Sequence, residues 1–166
     1  MDFVSGLSRQ KRTGANVPLH SWGIAHPLLQ KQIDIAEDLK KIETLKKQFS
    51  WQVDLPFRDF LLENYSIIIT NLEREIIWIS HNFVKLTGYS EEELIGNKPM
   101  MLQGEKTDEK SRNKIRENLQ KFESLKAKVI NYRKNGEVYN CNIEIFPLMN
   151  DSGNFTHFLA LEKEVC

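Results

Sequence analysis

The sequence has few cysteines, no excess of charge and no long apolar run. Its only cysteines are Cys141 and Cys166, too few for a framework of disulfides. Its 23 basic residues balance 23 acidic ones, so the basic excess typical of nucleic-acid binding is absent. No stretch is apolar enough to cross a membrane, and the amino terminus does not resemble a signal peptide. We therefore expect a cytoplasmic protein that binds neither nucleic acid nor a membrane.

Metal-ligand and catalytic spacings are also missing. The sequence contains four histidines, which are His20, His26, His81 and His157. None stands at ligand spacing from another histidine or from a cysteine, so we expect no metal site. No serine or cysteine can be combined with a histidine and a carboxylate into a nucleophilic set, so we expect no enzyme.

The chain divides into a tail, a helix and a domain. Residues 1–25 show no periodicity, which predicts a disordered or extended tail. Residues 26–50 predict an amphipathic helix, with Pro27 suited to its first position. Its apolar stripe consists of Leu28, Ile35, Leu39, Ile42 and Phe49. Such a stripe is buried either on its own domain or on a partner, and the sequence favours neither.

Residues 51–166 alternate between strand and helix patterns. Ser66–Thr70 and Ile76–Ile79 are rich in isoleucine and predict one hairpin, and Asn135-Gly136 marks another. The longest helix of the domain is predicted to follow Thr107 as its N-cap. We therefore predict an α+β domain, a five-stranded antiparallel sheet with short helices on one face, preceded by the flanking N-terminal helix.

The stretch from Gly88 to Gly104 joins the two halves of this domain. Ser90 and Glu93 predict a capping box that starts a short helix. Gly96 ends that helix, and the proline three residues later prevents a simple continuation. A short helix between strands either walls a ligand pocket or only connects the two halves, and the local signals support both equally.

Several motifs in this order resemble a PAS domain. They are Thr87-Gly-Tyr89, Ser90-Glu-Glu-Glu-Leu94, Ile95-Gly96, Leu102-Gln-Gly104, Asn131-Tyr-Arg-Lys-Asn-Gly136 and Pro147-Leu148. The resemblance covers about Phe60 to Val165 and is closest to the light-oxygen-voltage (LOV) branch, which binds flavin. It implies the PAS fold and a stand-alone sensory or regulatory module of intracellular signalling that acts through protein contacts.

The LOV motif itself differs in this chain. LOV domains carry Gly-x-Asn-Cys-Arg-Phe-Leu-Gln-Gly where this chain has Gly96-Asn-Lys-Pro-Met-Met-Leu-Gln-Gly104. Pro99 stands in place of the cysteine that forms the light-driven flavin adduct in LOV domains. Met100 stands in place of an arginine that contacts the flavin phosphate. The resemblance therefore implies a LOV-like domain without the photoactive cysteine.

Five residues are the candidates for a cofactor pocket. By resemblance, Gln103, Arg116 and Asn131 match flavin contacts of the LOV branch. Cys141 and Glu162 stand where the family has an asparagine and a glutamine against the flavin ring. Three of these residues also have alternative roles that involve no cofactor. The sequence supports structural roles for Gln103 and Asn131 equally, and it favours a solvated helix position for Arg116.

Glu162 makes the binding of a flavin less favourable. If the last hairpin pairs Leu148 with Phe155, Cys141 lies opposite Glu162. A carboxylate accepts hydrogen bonds but does not donate them, and two unpaired acceptors at a buried ring edge cost about 1–3 kcal/mol or more. We expect no stoichiometric cofactor and no cysteinyl adduct. The alternative is a redox or light sensor with non-covalent FMN or FAD.

The apolar stripe of residues 26–50 is the predicted partner surface. The PAS core does not obviously need this stripe, and PAS domains often pair through such flanking helices. We therefore expect a homodimer, or a signalling-protein partner, that binds through this helix.

Overall fold

The structure, a computed structural model, describes residues 19–165 and the side chains of residues 26–165. The α-helices are α1 (Leu19–Phe49), α2 (Phe57–Leu62), α3 (His81–Thr87), α4 (Glu91–Leu94) and α5 (Glu109–Gln120), and a 3-10 helix spans Pro99–Leu102. The strands are β1 (Ser66–Asn71), β2 (Ile76–Ile79), β3 (Leu125–Tyr132), β4 (Val138–Met149) and β5 (Phe155–Val165). Residues 1–18 of the predicted tail lie outside the described residues.

The first helix begins earlier than the sequence suggested. It starts at Leu19, so Pro27 lies inside it and the prediction of Pro27 at the first helical position is wrong. A proline inside a helix removes one backbone hydrogen bond and disturbs one turn. A helix of 31 residues can tolerate that local loss, because helix propagation is cooperative on either side of it.

The five strands form one antiparallel sheet in the order β2-β1-β5-β4-β3. The last strand of the chain therefore lies at the centre, paired with β1 on one side and β4 on the other. Asn135-Gly136 lies in the turn between β3 and β4, where Gly136 has a φ of 87°. The predicted α+β class and five-stranded antiparallel sheet are confirmed.

The helices that follow the first hairpin cover one face of this sheet. Ile68 of β1 packs there in a fully buried cluster with Phe83 of α3, Leu94 of α4 and Leu102 of the 3-10 helix. Neighbouring residues of a strand point to opposite faces, so the residues on either side of Ile68 face the other way.

Local hydrogen bonds start the helices on this face. The capping box of Ser90 and Glu93 is present at α4, as predicted. The N-cap of α5, however, is Asp108, which accepts a hydrogen bond from the backbone of Ser111 at 2.8 Å. The prediction of Thr107 as that cap is wrong, because the Thr107 hydroxyl instead donates to the carbonyl of Ile130 at 2.5 Å.

The second half of α1 covers the other face of the sheet, together with α2. The buried cluster on this face contains Ile35, Ile42, Leu45, Trp51, Phe57, Leu61, Ile67, Ile69, Trp78, Leu148, Leu159 and Leu161. Ile35 and Ile42 are therefore core residues, and the prediction that they form a partner surface is wrong. Because α2 lies with α1, helices cover both faces, whereas the sequence had placed the short helices on one.

Polar contacts connect α1 to α3. Asp38 is buried and accepts a hydrogen bond from the backbone of His81, the first residue of α3, at 3.1 Å. Its Oδ1 also lies 2.7 Å from Nδ1 of the same histidine. Burial raises the pKa of Asp38, and the hydrogen bonds from His81 oppose that rise. One turn earlier, Asp34 pairs with Lys85 at 2.5 Å.

The position of α1 predicts different effects for two residues of its apolar stripe. Ile42 is 1% exposed, so Ile42→Ala should lower the free energy of unfolding by about 2–4 kcal/mol. Leu28 is 64% exposed, so Leu28→Ala should change it by less than about 0.5 kcal/mol. Urea denaturation measures both. Equal effects of the two variants would contradict the placement of Ile42 in the core.

Candidate functional site

A cavity of about 210 Å³ lies between the sheet and the helices that follow the first hairpin. It is lined by Ile68, Thr70, Arg74, Lys98, Pro99, Met100, Gln103, Arg112, Ile115, Arg116, Leu119, Asn131, Ile143, Ile145, Phe158, Ala160 and Glu162. Pockets for drug-sized ligands usually measure about 300–1,000 Å³, so this cavity suits a small ligand.

The 3-10 helix and the loop after it form one wall of the cavity. Proline suits the first position of the 3-10 helix, because the backbone N–H that it lacks has no partner there. The loop after it is held at Gly104, where a Cβ atom would stand 2.4 Å from the ring of Tyr132. Arg112 donates a hydrogen bond to the Gly104 carbonyl. These contacts position Gln103, the neighbour of Gly104, in the wall.

Four of the five candidate residues come together in the lining. They are Gln103, Arg116, Asn131 and Glu162. Cys141 is fully buried but does not line the cavity. Whether any of these side chains contacts a ligand stays a prediction.

The register of the last hairpin differs from the expected one. Leu148 pairs with His157, not with Phe155, and Phe155 pairs with Met149 across an irregularity in the ladder. Glu162 consequently lies opposite Ile143. The difference is two residues, which leaves every side chain on its expected face, since the faces of a strand alternate with a period of two.

Cys141 and Glu162 are diagonal neighbours in this register. Cys141 itself pairs with Glu164 across the two strands. The thiol nevertheless lies 3.6 Å from Oε2 of Glu162. Burial, with the negative charge of Glu162 beside it, raises the pKa of the Cys141 thiol well above its ordinary value. Cys141 is therefore a neutral and unreactive thiol at physiological pH.

Glu162 is a carboxyl group in an apolar interior. Its residue is 3% exposed, and burial raises its pKa to about 7, although the hydrogen bond from Cys141 opposes the rise. No ion pair to it forms in the part of the chain whose side chains are described. Ser66 lies directly opposite on β1, with a buried hydroxyl that has no hydrogen-bond partner among the described residues. Glu162 can therefore change its protonation state near neutral pH.

Three cationic lining residues were missed in the sequence. They are Arg74 in the turn between β1 and β2, Lys98 before the 3-10 helix, and Arg112 on α5. Arg112 could have been found, because it precedes Arg116 by four residues and so shares its helix face. Arg74 carries no local signal, since only the fold brings its turn to the cavity. Lys98 lies in the LOV-like motif, directly before Pro99, where LOV domains carry an asparagine.

Comparison with known families gives a match for most of the region that forms this sheet. A family model for the PAS domain matches residues 64–165, more than half of the chain. The chain belongs to the PAS domain family. None of the helices in residues 19–165 of the chain has both the length and the apolar character that a membrane span requires.

The relatives of this PAS domain include LOV proteins. Protein TWIN LOV 1 of Arabidopsis thaliana is 36% identical over 91 residues, which are 54% of the chain and 23% of that relative. A blue-light photoreceptor of Listeria innocua is 31% identical over 115 residues, which are 68% of the chain and 45% of that relative. The chain thus spans less than half the length of both. The expected resemblance to LOV domains is confirmed.

A solved LOV domain has the same fold. The dark structure of the blue-light photoreceptor Aureochrome1 LOV superposes with a TM-score of 0.62 at 25% identity. The match covers 69% of this chain and 86% of the other. The chain is therefore a PAS domain of LOV-like, sensory type.

The buried carboxyl predicts a pH-dependent stability. The pKa of Glu162 is raised from 4.5 to about 7 in the folded state, so the folded state holds its proton more tightly than the unfolded state. Stability contributed by the neutral form is complete below pH 4.5 and is lost as the pH rises to 7. Glu162→Gln, which stays neutral, should therefore be more stable than the parent protein by about 2–3 kcal/mol at pH 8. At pH 4.5 the difference should be small.

Urea denaturation at the two pH values measures this difference. Glu123→Gln is the matched control, since that glutamate is exposed in the connection between α5 and β3. The control should show the same stability as the parent at both values. A Glu162→Gln variant whose advantage does not grow with pH would show that Glu162 does not titrate near 7.

Proposed function

We propose that this PAS domain is a non-enzymatic sensory module that signals by protein contact and lacks the cysteinyl photocycle of LOV domains. The observation that carries the proposal is Pro99 in the lining of the cavity. By resemblance, that position holds the cysteine that adds to flavin in LOV domains. Proline has no nucleophile, so the adduct cannot form there.

The other thiol near the cavity does not replace the missing cysteine. Cys141 lies outside the lining, beside the carboxyl of Glu162. Its raised pKa keeps it protonated, and the thiolate is the reactive form. The described residues also contain no group of three or more side chains suited to a metal ion. These features support a binding module over an enzyme.

The first half of α1 supports protein contact as the output. Leu28, Leu29 and Ile33 are exposed apolar residues of this helix. They precede the segment of α1 that packs on the sheet. We propose that these three residues, and not the buried Ile35 and Ile42, contact a second copy of the chain or a signalling protein.

The contacts between α1 and α3 support a route from the cavity to this surface. Leu102 ends the 3-10 helix of the cavity wall and packs on Phe83 of α3. The first residue of α3, His81, is held by Asp38 of α1. A ligand that shifts the 3-10 helix would therefore act on α1 through one short helix.

The second candidate function is a non-covalent flavin sensor for redox state or light. It is favoured by the grouping of Gln103, Arg116 and Asn131 around one cavity. It is disfavoured by the loss of an arginine at Met100 and of an amide at Glu162. FMN or FAD would be the cofactor.

An absorbance spectrum before and after blue light separates these two functions. We expect the purified protein to lack stoichiometric flavin absorbance and to show no bleaching. The matched variant carries Pro99→Cys, Met100→Arg, Cys141→Asn and Glu162→Gln, which introduce the LOV cysteine, its phosphate arginine and the two amides at the flavin ring. We expect this variant to bind FMN and to bleach reversibly in blue light. A stoichiometric yellow chromophore in the parent protein would support the second function, and reversible bleaching of the parent would contradict the proposal.

Light scattering tests the proposed contact surface. Leu28→Ser with Leu29→Ser should lower the apparent mass of any dimer, because it places polar groups in an apolar contact. Leu72→Ser is the control, since Leu72 is also an exposed leucine, although less so than Leu28, and lies in the turn between β1 and β2. Capture of partners from a cell extract gives the same comparison for a heterologous partner. If the α1 variant and the control behave alike in both measurements, this surface does not carry the output.

A further inference from the structure

Four cationic side chains surround the cavity. They are Arg74, Lys98, Arg112 and Arg116, contributed by the first turn of the sheet, the start of the 3-10 helix and α5. Arg112 is half-buried and the other three are exposed, so they form a rim at the opening. The chain has no net charge, so this positive rim is a local feature.

The rim cations lack anionic partners among the residues whose side chains the structure describes. None of the four forms an ion pair in the part of the chain whose side chains are described. Arg112 donates one hydrogen bond to the Gly104 carbonyl, and its buried Nε has no partner among these residues. A guanidinium with a free donor beside a cavity is suited to a carboxylate or a phosphate, which it binds through paired hydrogen bonds.

The interior of the cavity is different from its rim. Ile68, Ile115, Leu119, Ile143, Ile145 and Phe158 form its apolar lining. Among the described residues of the lining, Glu162 is the one acidic residue, and it is buried. Along β5 it stands four residues from Phe158, about 13 Å at the rise of a strand. Because Phe158 pairs with Thr70, close to the turn that carries Arg74, Glu162 and Arg74 lie at opposite ends of the cavity.

We propose that the cavity binds a small organic anion. Its charged group is held at the rim by Arg112 and Arg116, while Arg74 and Lys98 strengthen the attraction. Its apolar body lies among the isoleucines and Phe158. The cavity volume of about 210 Å³ limits the size of that body. The inference rests on the proposed sensory role and names the class of ligand that would be sensed.

Neutral and cationic ligands fit the same cavity less well. A neutral ligand would gain no attraction from the rim cations, and a cation would be repelled by four like charges. An anion with no apolar body would leave the apolar lining unfilled. Carboxylate and phosphate share the chemistry that the rim recognises, and only a comparison of the two separates them.

Four probes with the same aromatic body test the inference by calorimetric titration of the full chain. They are 1-naphthaleneacetate, 1-naphthyl phosphate, the neutral 2-(1-naphthyl)ethanol and the cationic 2-(1-naphthyl)ethylamine. We expect at least one anion to bind tenfold or more tightly than the alcohol, and the amine to bind more weakly than the alcohol. The tighter anion identifies a carboxylate or a phosphate ligand. Binding of the alcohol as tightly as both anions would overturn the inference.

Variants of α5 locate the binding site. Arg116→Gln should weaken the preferred anion about tenfold and the alcohol hardly at all. Lys110→Gln is the control, because Lys110 is an exposed cation of the same helix that does not line the cavity. An equal loss in both variants would overturn the site. Arg112→Gln should have the same effect as Arg116→Gln, and its thermal melt without ligand shows whether loss of the Gly104 contact has unfolded the wall.

The test of the ligand class can fail independently of the tests of the proposed function. Loss of the preference for anions overturns the ligand class and leaves the test of α1 unaffected. A blue-light adduct in the parent protein overturns the proposed function, whereas the anion preference and its dependence on Arg116 would still support the ligand class.

Discussion

The pairing of β5 between β1 and β4 is the constraint on which the rest of the structure depends. Neighbouring residues of this central strand are buried on opposite faces of the sheet. Leu159 and Leu161 pack against the cluster that contains α1. Phe158 and Glu162 face the cavity. A slip of one residue would exchange the two sets, so the register of one strand decides both the core and the site.

The two faces of the sheet differ in how completely they are packed. The face covered by α1 and α2 is filled by a closely packed apolar cluster, in which each buried isoleucine or leucine contributes about 1.5–3 kcal/mol. The other face holds a cavity and a buried carboxyl, and the raised pKa of Glu162 means that its ionised form is unfavourable there. The packed face thus supplies stability to a domain whose other face is left incompletely filled.

By resemblance to LOV domains, Pro99 stands in place of a cysteine, and proline suits this place in the wall of the cavity. Proline stands at the first position of a 3-10 helix, where its missing N–H has no backbone partner to lose. By resemblance, Glu162 stands where LOV domains have an amide of similar shape, and burial raises the pKa of its carboxyl to about 7. Both differences from LOV domains thus lie in the lining of the cavity, Pro99 in its helical wall and Glu162 on the sheet.

Local signals in the sequence determined most of the elements and the family. The isoleucine-rich strands, the Asn135-Gly136 turn and the capping box of Ser90 depend on neighbours in the chain, so they could be read directly. Contacts between residues far apart in the sequence could not be predicted from such local signals. Whether α1 packs on its own sheet, and whether Thr107 caps a helix or bonds Ile130, depends on residues far away in sequence. The bulge that shifts Leu148 relative to Phe155 is likewise a property of the paired strands.

The sequence by itself determined which chemical groups are available: no thiol at position 99, a carboxyl at Glu162, and arginines on one face of α5. Only the tertiary structure decided which of them meet. It brought Arg74 and Lys98 to the same rim as Arg116, and it placed Cys141 behind the cavity lining. The physical reason is that sequence spacing fixes the face of one helix or strand, whereas a site is formed where several elements pack, and packing is settled by the burial of the whole core.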